Sequence, residues 1–120
     1  MIELSARGDF FMRMSESGEC ITAYLKGDID HHSARSIRED IDALVQMKKP
    51  SLLKLDFSGV SFMDSSGIGL IMGRYRLMSL YGGMVRVVNV PEGLERMMNL
   101  SGLSALDIIE RRGERIESTK

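Results

Sequence analysis

Hydrophobic positions along the chain follow two periods, and the changes between them mark the elements. Phe10, Met12 and Met14 alternate with Phe11, Arg13 and Ser15, and Ile21, Ala23 and Leu25 alternate with Cys20, Thr22 and Tyr24. A period of two places each set on one face of a strand. Glu16-Ser17-Gly18-Glu19 between them is turn chemistry, so the pair predicts an antiparallel hairpin. Past Gly27-Asp28-Ile29-Asp30 the period lengthens: Ala34, Ile37, Ile41, Leu44 and Val45 form a helical stripe. Asp30 or Ser33 is available to cap this helix. Lys48 and Lys49 suit its negative end, and Pro50 stops it.

Leu53, Leu55 and Phe57 then line one face of a third strand, with Lys54 and Asp56 on the other. A second helix follows Asp64-Ser65-Ser66-Gly67, and Gly82-Gly83 closes it. Its Ile68, Ile71, Met72, Tyr75 and Met78 share one arc, assigned to the core; Ser65, Gly69, Gly73 and Arg76 fall on the opposite arc. Met84 to Val90 reads as a fourth strand, with Arg86 set against Val85 and Val87. A short helix opens at Pro91, carries Leu94, Met97 and Met98, and closes at Gly102. Leu106 and Ile108 suggest a short last strand. A strand covered by helices on both faces is apolar throughout, so Lys54, Asp56 and Arg86 argue for helices on one side. The expectation is one α/β domain over 1–112 with a mixed, mostly parallel sheet of about four or five strands, right-handed crossovers and helices mainly on one face. Residues 113–120 read as a charged tail, frayed or weakly helical.

Composition narrows the classes of function. A net charge of −1 offers no footprint for nucleic acid or an anionic membrane. No apolar run nears the ~18 residues of a membrane span, and the N-terminus lacks the apolar core of a signal peptide. Cys20 is alone, which excludes an internal disulfide and fits a reducing, cytoplasmic setting. His31 and His32 diverge on a helix, with no further His or Cys to complete a metal set. Gly67-Ile68-Gly69 begins like a dinucleotide fingerprint, but Met72 stands where the third glycine belongs. A hydrolase elbow, G-x-S-x-G, is broken by Met63 before Ser65 and by Asp64 before Ser66. The residues imply no cofactor, no metal and no catalytic set.

The remaining candidate is the helix start at Ser65. Ser and Asp both make good N-caps, and a helix N-terminus welcomes anions, phosphate included. Ser65 can therefore be a structural cap or a modification site. Gly67, Gly69 and Gly73 are costly in a helix, about 1 kcal/mol each against Ala where exposed. They serve either close internal packing or a bare face for a partner.

Three stretches carry a resemblance: GDIDHHSARSIREDI, LDFSGVSFMDSSGIGLIMGRYRLM and MMNLSGL. They resemble the anti-sigma factor antagonists of the STAS-domain family, most of all the sporulation type. The likeness runs from about Gly18 to Leu103 and rests most on Asp-Ser-Ser-Gly followed by Gly-Arg-Tyr. It implies a cytoplasmic protein that is not an enzyme. In its unphosphorylated form such a protein binds an anti-sigma factor that is also a serine kinase of the GHKL type, releasing a sigma factor. Phosphorylation of the first Ser of that block, Ser65 here, would switch it off, and a PP2C-type phosphatase would restore it. The partner-binding residues implied are Asp30, His31, Asp64, Ser65, Ser66, Gly67, Gly69, Gly73 and Arg76. The alternatives are a non-switching STAS scaffold subunit of a signalling complex and a Ser-dependent hydrolase.

Overall fold

The computed structural model describes residues 2–4 and 12–110. Five strands form one sheet in the order β1-β2-β3-β4-β5: β1 (Ile2–Leu4), β2 (Met12–Ser17), β3 (Cys20–Ile29), β4 (Leu52–Met63) and β5 (Met84–Val88). β1 pairs with β2 and β2 with β3 antiparallel, while β3–β4 and β4–β5 are parallel. Each parallel pair is joined through a helix, α1 (His31–Lys48) or α2 (Ser65–Leu80), and α3 (Glu92–Leu100) and a 3₁₀ turn (Leu103–Leu106) follow β5. The hairpin falls where the alternation puts it, with Met14 opposite Ala23 and Met12 opposite Leu25. Phe10 and Phe11, and the tail from Arg111, lie outside the described residues.

All three helices cover one face. Ile21, Ala23, Leu25, Leu53, Leu55, Phe57, Val85 and Val87 share a single core cluster with Ile37, Ile41, Val45, Ile71, Met78, Leu94 and Met98. The opposite face is drier than the alternation suggested. Lys54 and Arg86 are half-buried. Asp56 is buried, its carboxylate accepting from the Ser58 N–H (2.9 Å), the Ser58 hydroxyl (2.7 Å) and Asn89 Nδ2 (2.8 Å). Three donors replace the water that a buried carboxylate would otherwise lack.

Two expectations give way. The last strand shrinks to one bridge, Val87 with Ile109, fixed by Val87 N–H to Ile108 C=O and Glu110 N–H to Val87 C=O, both 2.8 Å. The 3₁₀ turn takes up Leu106 instead. Helix α2 is also rotated by about 80° from its expected orientation, at 100° per residue. Gly67, Leu70, Ile71, Arg74 and Met78 are buried, whereas Ile68, Met72 and Tyr75 are only half-buried. Apolar side chains almost encircle this helix, so polarity alone misplaces its inner face. Two features set the rotation. Gly67 has no side chain, and an added Cβ would collide with Cγ and Sδ of Met63, itself fully buried. Arg74 points inward, where its guanidinium meets Asp42 of α1 in a two-pronged pair, Nε to Oδ1 at 2.7 Å and Nη2 to Oδ2 at 3.2 Å. Nη1 also donates to Leu70 C=O at 3.1 Å. Burial pushes the Asp42 carboxyl up and the Arg74 guanidinium down, and the attraction of each for the other offsets part of both shifts.

Candidate functional site

The two crossover helices begin side by side. Ile29 and Met63 end β3 and β4 in register, and the next residues, Asp30 and Asp64, are the N-caps of α1 and α2. Asp64 N–H donates to Ile29 C=O at 3.1 Å and ties the two starts together. At α1 the capping box is closed: the Ser33 N–H donates to Asp30 Oδ1 (2.9 Å) and the Asp30 N–H to Ser33 Oγ (3.0 Å). Ser33 Oγ also donates to Asp28 C=O at 2.9 Å. The sequence offered Asp30 or Ser33 as the cap, and the two act jointly. The Ser33 N–H foremost, with the Ser33 hydroxyl and the His32 N–H behind it, holds the Asp30 carboxyl below the usual carboxylate range.

At α2 the cap is Asp64, whose Oδ1 accepts the Ser66 N–H at 2.8 Å. Ser65 is therefore the first helical residue and not the cap. Its side chain is exposed, and among the described residues no hydrogen bond holds its hydroxyl. Of the two roles open to Ser65 in the sequence, structural capping is already filled by its neighbour.

The other candidates divide by exposure. Asp30, His31, Ser65, Gly69 and Arg76 are exposed, and Asp64, Ser66 and Gly73 half-buried. Gly67 stands apart, buried on Met63, where it serves packing. At Gly69 and Gly73 an added Cβ would meet nothing within 4 Å, so internal packing does not account for these two glycines. The exposed ridge of α2 runs through Ser65, Gly69 and Arg76 and is flanked by two grooves. The groove toward α1, 550 Å³, is lined by Gly69 and Gly73 with His31, Arg35, Arg38 and Ser66. The groove toward α3, 650 Å³, is lined by Ser65, Ile68, Met97 and Leu100 with Arg96 at its margin. Arg96 and the apolar pair on α3 lie outside the sequence-based set; the only signal for them was the i, i+1, i+4 spacing of Arg96, Met97 and Leu100.

His31 lines the α1 groove with Ser66, whereas Ser65 lines the α3 groove. Among the described residues, no three His, Cys, Asp or Glu side chains converge to hold a metal. No helix among them is long and apolar enough to cross a membrane.

Comparison with known proteins agrees with the geometry. The STAS domain family matches residues 12–117. An anti-sigma F factor antagonist of Paenibacillus polymyxa is 37% identical over 79 residues, covering 66% of this chain and 68% of that one. Among solved structures, the anti-sigma factor antagonist SpoIIAA in its unphosphorylated form aligns at a TM-score of 0.75 and 27% identity, over 86% of this chain and 89% of that one. The Bacillus cell fate determinant SpoIIAA in its phosphorylated form aligns at 0.69 and 27%, over 86% and 92%. The chain belongs to the STAS-domain family, and within it is similar to the anti-sigma factor antagonists.

Proposed function

We propose that this protein is an anti-sigma factor antagonist switched by phosphorylation at Ser65. Unphosphorylated, it binds an anti-sigma factor that is also a serine kinase of the GHKL type and so frees a sigma factor. Once phosphorylated it lets go, and a PP2C-type phosphatase resets it. The observation that carries the reading is the Ser65 hydroxyl, exposed and, among the described residues, free of hydrogen bonds, while Asp64 caps the helix. A kinase can take this hydroxyl without breaking any bond of the fold.

The charges around it suit a switch that acts on binding. A phosphate adds about −1.5 to −2 charges, beside the half-buried Asp64 and next to the helix start capped by the exposed Asp30. The helix N-terminus offsets part of this within the fold. A partner surface shaped for a neutral hydroxyl meets repulsion and must desolvate the phosphate. The partner would lie along the ridge of Ser65, Gly69 and Arg76, with Gly73, Ser66 and His31 at its edge. The bare backbone at Gly69 and Gly73 admits another chain closely. ATP, its metal and the catalytic base belong to the kinase in this scheme.

The test sets stability against binding. Ser65→Ala leaves the Asp64 cap in place, so it should melt within about 2 °C of the wild type, since surface changes rarely exceed ~0.5 kcal/mol. It should bind the cognate anti-sigma factor and take no phosphate. Ser65→Asp should fold as well, because a carboxylate suits the first turn, yet bind at least tenfold more weakly. Calorimetry on both variants, with tandem mass spectrometry of the kinase-treated wild type, decides it. Equal affinities for the two variants, or a phosphate on Ser66, would refute the role given to Ser65.

A further inference from the structure

The groove between α2 and α3 has an uneven charge. Its lining consists of Ser65, Ile68, Gly93, Arg96, Met97, Leu100 and Ser101, so among the described residues one cation and no carboxylate face it. Arg96 is exposed on α3, and among the described residues no hydrogen bond or ion pair engages its guanidinium. Other described cations near the two helix starts are committed or face elsewhere. Arg35 pairs with Glu39 at 3.4 Å and Arg74 with Asp42, and His31, Arg35 and Arg38 face the α1 groove. Arg76 lies about 16 Å along the helix from Ser65, at 1.5 Å per residue. A spare guanidinium thus borders the same space as a spare hydroxyl, in a groove also lined by Ile68, Met97 and Leu100.

We propose that Arg96 is the intramolecular partner of a phosphate on Ser65. Guanidinium matches phosphate oxygens in a two-pronged geometry. An arm drawn across from α3 would lie over Ile68 and Met97 and close the groove. The phosphorylated state is then more than a repulsive patch: it withdraws a cation and an apolar slot that a partner can use in the free form. The charged groups on the elements around the phosphate are Asp64 beside it, Asp28 at the end of β3, Asp30, His31 and His32 at the start of α1, and Glu92 and Glu95 on α3 with Arg96. Of these, Arg96 alone shares the groove with Ser65. This inference rests on the switch reading.

The test uses the full chain with phosphoserine installed at position 65 by codon suppression, and follows its phosphorus resonance through a pH titration. The second phosphate ionisation, ordinarily near pH 6, should move upward by about half a unit to one unit in Arg96→Gln, a modest shift because the pair is partly exposed. Arg96→Lys should fall between the two proteins, and the difference should shrink at about 1 M salt. Coincident titrations of the wild type and Arg96→Gln overturn the role of Arg96 and leave the switch intact. A separate arm incubates the unmodified wild type with kinase and ATP; absence of phosphate at Ser65 there overturns the switch itself.

Discussion

The three glycines of α2 give the sharpest contrast in the molecule. Gly69 and Gly73 have helical backbone and open space where a Cβ would stand, whereas the same atom at Gly67 would collide with the middle of the Met63 side chain. Gly73→Ala should therefore gain helix propensity and lose no packing, a stabilisation of about 0.8–1 kcal/mol. An unfolding entropy of about 2.1 cal/mol/K per residue, over a chain of this size, comes to about 0.25 kcal/mol/K, so Tm should rise by about 3–4 °C. Gly67→Ala forces a methyl against a fully buried Met63 and should cost about 1–3 kcal/mol, lowering Tm by about 4–12 °C. The longer Gly73→Gln should also hold or raise Tm, yet weaken binding to the anti-sigma factor at least tenfold if a partner backbone lies on this face. Melts by circular dichroism and titration calorimetry measure the two effects separately. A fall in Tm for Gly73→Ala comparable to that of Gly67→Ala would show that the open face is packed, and the reasoning would fail. Unchanged affinity with Gln at 73 would move the partner off this part of α2.

The Asp42–Arg74 pair predicts an asymmetry. Asp42→Ala strands a buried guanidinium and should cost about 3 kcal/mol, more than Arg74→Met, which leaves Asp42 partly in water and fills the site with an apolar chain; denaturant melts that rank them the other way would contradict this. Asp64→Ala removes the α2 cap and should lose about 1 kcal/mol, whereas Ser65→Ala loses almost nothing, a ranking that chemical unfolding reads directly. The capping box gives a pH dependence. The Asp30 carboxyl sits below its ordinary value of 3.8 in the fold, so its contribution is full above that pH and disappears as pH falls through the lower folded value. The urea midpoint of wild type should therefore drop more steeply between about pH 5 and pH 2 than that of Asp30→Asn, which caps without titrating; parallel profiles would exclude the effect.

Periodicity made the sheet legible because its alternating positions face one core: Leu53, Leu55 and Phe57 are each fully buried, as their spacing requires. It was equally sound for α1, whose polar face is continuous. It failed on α2 because the inner face is marked by an absent side chain and a charged one, Gly67 and Arg74, and their partners Met63 and Asp42 are remote or unremarkable in sequence. β1, at three residues, is too short to show a period. For Asp56, alternation gives the face of the strand but not the Ser58 and Asn89 donors that come to meet its carboxylate. The start of α2 was located correctly, yet the division of labour between Asp64 and Ser65 depends on one residue of register, which composition does not resolve.

The bridge from Val87 to Ile109 also bears on how the protein behaves at high concentration. β5 is the outer strand on its side of the sheet, and its sequence, Met84-Val85-Arg86-Val87-Val88, is apolar and rich in β-branched residues. An open edge of that composition is a template for another chain. The returning segment occupies the N–H and C=O of Val87, and the Arg86 guanidinium donates to Asp107 C=O at 2.8 Å alongside it. Two backbone hydrogen bonds and one side chain thus blunt the edge. A chain cut before Asp107 would keep every residue of the α2 ridge and bare the strand, so its loss should show first as self-association.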